Sequence, residues 1–391
     1  MTDDRFREIT ARYPSLRVAL VGDVALDRYL EIDPSVEETS IETGLPVWNV
    51  VRLRPQPGAG GNVLANLAAL SPTHLSAVGY CGDDGEGLEL RRALEALGAD
   101  LTHFRVRSDR TTFAYIKPLI LHGGSPPEER NRLDLRSRTA TPRDLEDALI
   151  AGLTEVLGQV DALVALDQVP EPGCGVLTPR VKEALADLAE ACPDKTIVAD
   201  SRTAAGEFAG VSVKVNLDEL AAHFSAAEDD LDPEALAARW SGELGRRVFV
   251  TLGQKGLLVA DGDRVTHVRG VPADPPIDEV GAGDAVLANV AMALAAGASA
   301  AEAAELGNLA GGVVVKQIGT TGTATVEAMA EMREAVQREQ EDGSPDAPRC
   351  RSHRLRRCAK RRAWLGGGGE SCVVHGFGRC SRVIWRRCRS I

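Results

Sequence analysis

The chain has 391 residues, of which 44% are hydrophobic and 26% charged, a composition typical of a globular protein with a sizeable core. Its net charge of −12 hides two parts: residues 349–391 carry 13 Lys and Arg against one acidic residue, which leaves −24 on the first 348 residues. Because phosphate contacts need a basic face, this charge excludes nucleic acid as the main ligand of the body.

The cysteines and the apolar stretches indicate a cytoplasmic protein. Cys81, Cys174 and Cys192 lie far apart in the body, as expected of reduced thiols rather than a disulfide framework. The N-terminal residues lack the apolar core of a secretion signal. The longest apolar stretch, 285–301, is rich in alanine and contains Asn289, so it predicts a buried helix and no membrane span.

Short apolar runs alternate with helical patterns from residue 17 onward. The predicted strands are bounded by Asp or Gly and lie at 18–22, 76–79, 162–166, 196–199, 211–215, 248–252 and 256–260. The predicted helices lie at 62–70, 87–97, 178–191, 233–244, 283–296 and 300–317. The alternation predicts an α/β fold, with a mostly parallel central sheet and helices on both faces.

Polar residues follow several predicted strands, at the sheet edge where such folds bind ligands. They are Asp23, Asp83, Asp167, Asp200, Asn216 and Gly253. Residues 29–54 and 111–121 are extended without an intervening helix and predict a small β lid over this edge. Residues 337–348 are polar and contain Pro and Gly, which predicts a linker. We therefore expect one domain at 15–332, a helix end and linker at 333–348, and a separate tail at 349–391.

The strongest motif is Gly281-Ala282-Gly283-Asp284, which runs directly into a helical pattern. Glycines at a helix start allow backbone N–H groups to point at one anion, which the helix dipole also favours. An acid in that first turn could accept a proton from a hydroxyl beside the anion. The motif predicts phosphoryl transfer to a hydroxyl, although a capped helix with an acidic first turn is the alternative from these residues alone.

A second glycine-rich turn, 57–61, leads into a helix that carries Asn62 and Asn66 on one face. Clustered glycines allow the backbone to approach a ligand closely. The alternative is a flexible turn before an N-capped helix.

The order of these motifs resembles that of the ribokinase-like (PfkB) carbohydrate kinases over about residues 15–332. The matching pieces are Gly22-Asp23 with Asp27, the turn with Asn62, Asn216-x-x-Glu219, and Gly281-Ala-Gly-Asp284. Within the family, the resemblance is to the kinase domain of the bifunctional ADP-heptose synthases, which phosphorylates a heptose 7-phosphate at its anomeric position. Arg132-Leu-Asp134 and Gly319-Thr320 match that subgroup.

The resemblance implies a role for each matching residue, and it implies ATP and Mg²⁺ as cofactors. Asp284 is the expected catalytic base, and the anion hole comprises Gly281, Ala282 and Gly283. The expected sugar or sugar-phosphate contacts are Asp23, Asp27, Gly58, Asn62, Arg132 and Asp134. The expected nucleotide contacts are Asn216, Glu219, Thr251, Gly253, Gly256 and Asn308. Glu219 is also expected to help hold Mg²⁺ indirectly.

The chain departs from the family pattern at several positions. Val280 replaces the usual Thr, and Ala59 replaces the usual second Gly of its turn. The segment after Asp167 lacks the Lys-Gly pair expected in heptose kinases, and Arg202 replaces the Lys of Asp-Pro-Lys. Since none of these changes alters the base, the sequence predicts an ATP-dependent sugar or sugar-phosphate kinase, with the sugar left open.

Two other functions remain open at this point. A nucleoside kinase of the same fold needs an apolar or aromatic slot for a base, and the aromatic content of 4% gives this little support. A non-catalytic sugar- or nucleotide-binding protein on this scaffold would explain Val280 and Ala59. Because ribokinase-like proteins often pair through their lids, the resemblance also implies a homodimer.

The basic tail, 349–391, contains five cysteines and runs of arginine. A zinc module is one interpretation, but the cysteine spacing contains no C-x-x-C pair. A nucleic-acid-binding arm is a second interpretation, because arginine runs suit phosphate contacts. Its composition and its lack of hydrophobic periodicity favour the third interpretation, a disordered segment without function.

Overall fold

The computed structural model describes residues 1–226 and 231–342, and within them nine strands form one large sheet. These strands are β1 Arg17–Gly22, β6 His74–Gly82, β7 Phe104–Arg107, β11 Ala162–Asp167, β12 Thr196–Ser201, β13 Ser212–Asn216, β14 Val248–Thr251, β15 Gly256–Asp261 and β16 Arg264–Arg269. Their order is β16-β15-β14-β13-β12-β11-β1-β6-β7. The seven strands from β14 to β7 in this order run parallel to one another. Strand β15 is antiparallel to β14, and β16 is antiparallel to β15.

A second, smaller sheet begins directly after β1 and forms the lid. Its strands are β2 Val24–Ile32, β5 Val50–Ala59, β8 Ala114–His122, β9 Ser125–Glu129 and β10 Leu133–Leu135. The order is β10-β8-β2-β5, and β9 pairs with β8. Two short strands, β3 Glu38–Thr39 and β4 Pro46–Val47, pair in the connection between β2 and β5.

Ten α-helices occur in the described part of the chain. They are α1 Asp3–Thr10, α2 Gly60–Ala69, α3 Gly85–Ala96, α4 Arg143–Gln159, α5 Pro179–Ala191, α6 Leu217–Phe224, α7 Pro233–Leu244, α8 Ala282–Ala295, α9 Ala300–Val314 and α10 Val326–Asp342. No helix in these ranges combines the length and the apolar character that crossing a membrane requires.

The helices cover both faces of the large sheet because strand side chains alternate between the two faces. In β1, Val18 and Leu20 pack into a core cluster with α1, α2, α3, α8, α9 and α10, whereas Ala19 and Val21 pack into a second cluster with α4, α5, α6 and α7. The alanine-rich helix α8 is buried along 285–293. Its N-terminus is thereby held at the carboxyl edge of the sheet.

The predicted fold class is confirmed: a mostly parallel sheet, helices on both faces and a small β lid. The predicted linker at 337–348 needs correction, because α10 continues to Asp342. Residues 337–342 are Gln, Arg, Glu and Asp, and most of these polar residues favour helices, so polarity did not mark the end of the helix. Residues 343–348 and the tail lie outside the described residues.

Candidate active site

The first turn of α8 lies open beside a carboxylate. Gly281, in a left-handed conformation (φ 82°), is the N-cap residue, and no side chain caps the helix. The Ala282 N–H donates to the Glu279 carbonyl (3.2 Å), so this predicted anion-hole amide is occupied. The N–H groups of Gly281, Gly283 and Asp284 have no acceptor among the described residues. The two that lie within the first turn of α8, those of Gly283 and Asp284, therefore remain for an anion.

Asp284 lies in this first turn and meets Asn62 from α2. The Asn62 Nδ2 donates to Asp284 Oδ2 at 3.2 Å. Burial raises the pKa of Asp284 to about 7; Lys214 and Asn62 oppose this shift, and Asp200 adds to it. A carboxyl group with this pKa can accept a proton at neutral pH, as the predicted catalytic base requires.

A buried lysine that the sequence analysis did not select lies next to this turn. Lys214, in β13, donates from Nζ to Asp200 Oδ2 at 2.5 Å. A Cβ atom added to Gly283 would lie 3.4 Å from the same Nζ. A lysine between Val213 and Val215, two residues before Asn216, was the sequence signal for it, because charged residues are rare inside buried strands.

The predicted sugar contacts Asp27 and Asp134 occupy one row of the lid. The β-sheet register pairs both with Tyr115 of β8, so the three side chains share one face. Lys117, two residues along β8, donates from Nζ to Asp27 Oδ2 at 3.0 Å and to the Tyr29 hydroxyl at 3.3 Å. The lid therefore presents a row of polar and aromatic groups.

One oxygen of the Asp27 carboxylate, Oδ1, is buried and has no hydrogen-bond partner among the described residues. Burial raises the pKa of Asp27, although Lys117 opposes the shift. Gly58 lies against this carboxylate, and an added Cβ atom there would lie 2.8 Å from both Cγ and Oδ1 of Asp27. Gly58 is thus required for the close approach of β5 to Asp27.

Asp23 differs from Asp27, because both oxygens of its carboxylate accept hydrogen bonds from backbone N–H groups. Oδ2 accepts from the N–H groups of Gln168 (2.9 Å) and Val169 (3.1 Å), and Oδ1 accepts from that of Val176 (2.7 Å). Burial raises its pKa to about 6, to which Asp167 also contributes, while these backbone bonds oppose the shift. Asp23 holds the loop after β11 in place and, in this arrangement, has no oxygen free of such bonds for a sugar.

Arg132 and Asp134 form an ion pair with each other, with Nε–Oδ1 at 2.6 Å and Nη2–Oδ2 at 2.9 Å. The Arg132 guanidinium also stacks over the Tyr115 ring at 4.2 Å. The pair is neutral overall, and it places the guanidinium on the lid face that carries Asp27.

A cleft of about 530 Å³ lies on the other side of the α8 turn. Its lining includes five of the six predicted nucleotide contacts, namely Asn216, Thr251, Gly253, Gly256 and Asn308, together with Ala282 and Gly283. Its apolar walls include Val271, Ile277, Val286 and Val315. The structure therefore brings these residues together around one cavity that ends at the open helix terminus.

Several cleft residues have structural contacts of their own. The Asn308 Nδ2 donates to the Arg269 carbonyl at 2.9 Å, and the Thr251 hydroxyl donates to the Val215 carbonyl at 3.3 Å. A Cβ atom at Gly256 would lie 2.1 Å from the Val268 carbonyl oxygen, so only glycine fits between β15 and β16. These residues shape the wall of the cleft.

Asn216 and Glu219 form the capping box of α6. Asn216 Oδ1 accepts from the Glu219 N–H and Glu219 Oε2 accepts from the Asn216 N–H, both at 2.8 Å. Burial raises the pKa of Glu219, to which Asp200 also contributes. Glu219 lines a neighbouring cavity with Arg202 rather than the cleft itself. The motif thus has a local structural cause beside its predicted ligand role.

The two departures from the family pattern differ in their structural setting. Val280 directly precedes the N-cap residue Gly281, and its side chain is 53% exposed. Ala59 is the N-cap residue of α2 and adopts φ 51° and ψ −121°, a conformation that glycine adopts far more readily. Ala59 is therefore a strained point in the turn that positions Asn62.

Comparison with known proteins identifies relatives over most of the chain. Residues 178–327 match the sequence profile described as pfkB family carbohydrate kinase. The bifunctional protein HldE of Caulobacter vibrioides is 32% identical over 325 residues, covering 81% of this chain and 64% of that protein. The protein of the same name from Azotobacter vinelandii is 32% identical over 333 residues, covering 84% of this chain and 65% of the relative. The chain thus spans less than two thirds of the length of these relatives.

Solved structures share the fold. Ribokinase of Arabidopsis thaliana, complexed with ribose and ATP, matches with a TM-score of 0.59 at 18% identity, covering 81% of this chain and 98% of that one. Phosphofructokinase-2 of Escherichia coli, in complex with fructose-6-phosphate, matches with a TM-score of 0.62 at 20% identity, covering 82% and 99%. At these identities the likeness establishes the fold alone.

Proposed function

The chain belongs to the pfkB family of carbohydrate kinases, and on this premise we propose that it transfers a phosphoryl group from ATP to a hydroxyl group of a sugar or sugar phosphate. One observation carries the proposal. The uncapped N-terminus of α8, with two open amides and the Asp284 carboxylate, lies between a cleft of nucleotide size and the polar face of the lid.

The reaction follows from this arrangement. ATP lies in the cleft with its terminal phosphate at the Gly283 and Asp284 amides, which stabilise the negative charge during transfer. The acceptor hydroxyl lies beside Asp284, which takes its proton as the oxygen attacks phosphorus. Asn62 orients the Asp284 carboxylate through its hydrogen bond. The lid covers the site and limits the transfer of the phosphoryl group to water.

The residues present fit a magnesium ion held mainly by the nucleotide. Within the described ranges, no group of three His, Cys, Asp or Glu side chains could bind a metal ion by itself. Magnesium commonly keeps several waters and binds substrate phosphates with one or two carboxylates. Glu219 Oε1, which accepts no hydrogen bond within the described ranges, suits such an indirect role. The bound ion would supply positive charge that offsets the charge of the phosphates.

For the acceptor we propose a sugar phosphate, with heptose 7-phosphate phosphorylated at the anomeric hydroxyl as the first candidate. The relatives named HldE and the motifs shared with heptose kinases support this substrate. Lys117 and Arg132, although each is paired with a carboxylate, carry N–H donors on the lid that suit hydrogen bonds to an anionic sugar. ATP as the donor also agrees with the predicted cytoplasmic location.

The experiment is a panel of sugars, sugar phosphates and nucleosides incubated with ATP and the purified protein. We expect ADP to form fastest with a heptose 7-phosphate, and phosphorus NMR to place the new phosphate on the anomeric oxygen. Turnover of nucleosides alone would instead identify a nucleoside kinase. ATP binding without turnover of any acceptor would identify a binding protein and contradict the proposal.

We further propose that two copies pair through their lids. Exposed apolar side chains concentrate on the lid and its connection: Ile41, Leu45, Trp48, Val51 and Leu53. Ile41 is 99% exposed, and a patch of this kind is typical of an interface. Light scattering should report a dimer that Val51→Lys with Leu53→Lys dissociates, whereas a monomeric wild type would contradict this pairing.

A further inference from the structure

Charge of one sign lines the cleft that the proposed function assigns to the nucleotide. Glu279 and Asp218 are acidic, and no Lys, Arg or His side chain of the described residues lines the cavity. Kinases usually meet the phosphates of a nucleotide with a basic side chain as well as with backbone amides. A nucleoside triphosphate is a polyanion, so these carboxylates repel it in its free form.

A buried ammonium lies near the cleft but is not part of its lining. Lys214 Nζ is 3.4 Å from the Cβ position of Gly283, yet it is paired with Asp200 and does not line the cavity. The attraction for an anion therefore comes from the open amides of Gly283 and Asp284, and the two lining carboxylates oppose it.

Of the two acidic residues, Glu279 lies at the helix terminus that the phosphates would approach. Its carbonyl accepts the Ala282 N–H at 3.2 Å, which joins it to the first turn of α8. Asp218 lies in the first turn of α6, where a carboxylate stabilises its own helix. Glu279 precedes the N-cap residue of α8 by two positions, outside the turn in which that effect operates.

The fold of the described residues gives the Glu279 carboxylate no partner. Its side chain is exposed and makes no hydrogen bond or ion pair within residues 1–226 and 231–342. The neighbouring Asp278, by contrast, uses both oxygens: Oδ1 accepts the Val280 N–H at 3.1 Å, and Oδ2 accepts the Gly319 N–H at 3.0 Å. Asp278 therefore holds the loop in place, whereas the Glu279 carboxylate remains available to a ligand in the cleft.

A divalent cation on the nucleotide reverses the effect of this carboxylate. Magnesium binds the phosphates of a nucleotide, keeps several of its waters and lowers the net negative charge of the ligand. A carboxylate accepts hydrogen bonds from such waters, and its charge strengthens them. The same group that repels the free nucleotide thus favours its magnesium complex.

Resting on the proposed kinase function, we propose that Glu279 is a specificity-determining residue, which selects the magnesium complex of the nucleotide over the free nucleotide. Its carboxylate accepts a hydrogen bond from a water on the ion when the complex binds, and it repels the phosphates when the ion is absent. The step is one of binding, so no covalent bond changes. This role is separate from that of Glu219, which lines the neighbouring cavity.

The test measures, by calorimetry, the binding of a non-hydrolysable ATP analogue in excess MgCl₂ and in EDTA. In Glu279→Gln, the free analogue should bind about two- to fivefold more tightly than in the wild type, because one exposed like charge is removed. Binding of the magnesium complex should stay the same or weaken, so the ratio of the two dissociation constants falls. The gain should shrink as NaCl is added, because salt screens exposed charges.

The matched control is Glu331→Gln in α10, which removes the same charge at an exposed position outside the lining of the cleft. Its ratio should equal that of the wild type. Since both variants alter exposed side chains, both should keep the wild-type Tm. An unchanged ratio in Glu279→Gln, or an equal fall in Glu331→Gln, would overturn the proposal.

Neither titration requires an acceptor, so the result is independent of the sugar assay. If the wild type phosphorylates none of the sugars tested, a lower ratio in Glu279→Gln still supports selection of the magnesium complex at this cleft. If sugars are phosphorylated and the ratio is unchanged, the kinase function stands and the role of Glu279 is wrong.

Discussion

The proposed nucleotide side and the proposed sugar side of the site are built in different ways. The cleft on the nucleotide side is bounded largely by backbone, glycines and apolar side chains of the large sheet and α8. The sugar side depends on charged side chains of the lid, with Asp27 and Lys117 paired at 3.0 Å. We infer that the nucleotide side tolerates side-chain changes, whereas the lid determines which sugar binds.

The largest expected effect lies where the two sides meet. Asp284→Asn keeps the shape of the side chain but cannot accept the hydroxyl proton, so kcat should fall by about 10²–10⁴-fold. Binding of nucleotide and sugar should change little, which steady-state kinetics and calorimetry would show. Wild-type kcat in this variant would contradict the assignment of Asp284 as the base.

Breaking the Lys117–Asp27 pair of the lid should weaken sugar binding without weakening ATP binding. Lys117→Met leaves the buried Asp27 carboxylate unpaired, which costs about 3–5 kcal/mol of unfolding free energy and raises the KM for the sugar. The double variant Lys117→Met/Asp27→Asn should regain most of the stability but not the sugar affinity. ATP affinity should be unchanged in both.

The control for the lid pair is Thr251→Val on the nucleotide side. It removes the hydroxyl that donates to the Val215 carbonyl, but it keeps the volume of the side chain. We expect the KM for ATP to stay near that of the wild type. If Thr251→Val lowered the affinity for ATP as much as the lid variants lower the affinity for the sugar, the inferred difference between the two sides would be wrong.

The pH dependence should report the base at the boundary. Because the pKa of Asp284 is raised to about 7, kcat/KM should fall about tenfold per pH unit below that value, as the carboxylate becomes protonated. Stability has the opposite dependence on pH. A raised carboxyl pKa favours the folded state at low pH, and this contribution is lost as the pH rises from the ordinary aspartate pKa of 3.8 to about 7. A wild-type profile that is flat between pH 5 and about 8 would contradict this assignment.

The smallest expected effect concerns the turn that supports Asn62. Ala59→Gly should raise the unfolding free energy by about 1 kcal/mol, because glycine adopts the positive φ of this residue without steric cost. Thermal unfolding measures the change, and kinetic constants should stay within the range of the wild type. Ala68→Gly, within α2, is the matched control and should lower the Tm instead.

The sequence predicted most of the sheet but fewer of the helices. The seven predicted strands correspond to β1, β6 and β11–β15, since buried strands have recognisable apolar runs. It missed α6, which has only eight residues and starts directly after β13, so no loop separates the two patterns. It also missed β16, where exposed and half-buried residues weaken the apolar signal.

Local sequence predicted the position of some site residues but not the hydrogen-bond partners of others. Motif order selected Asp284, Asn62 and the cleft residues that the fold brings together, because local sequence encodes helix starts and turns. It could not show that the Asp23 carboxylate is occupied by backbone N–H groups about 150 residues away. Hydrogen-bond partners at such separations leave no local pattern.

By itself, the sequence determined the class of fold, the motif at the start of α8 and the acidic charge of the body, all of which depend on neighbouring residues or on composition. The tertiary structure decided which polar groups face one another: Asp200 with Lys214, Asp27 with Lys117, and Asn62 with Asp284. The reason is that parallel strands and a lid bring residues from distant parts of the chain to one edge of a sheet. The burial that raises the pKa values of Asp27 and Asp284 exists only once the chain is folded.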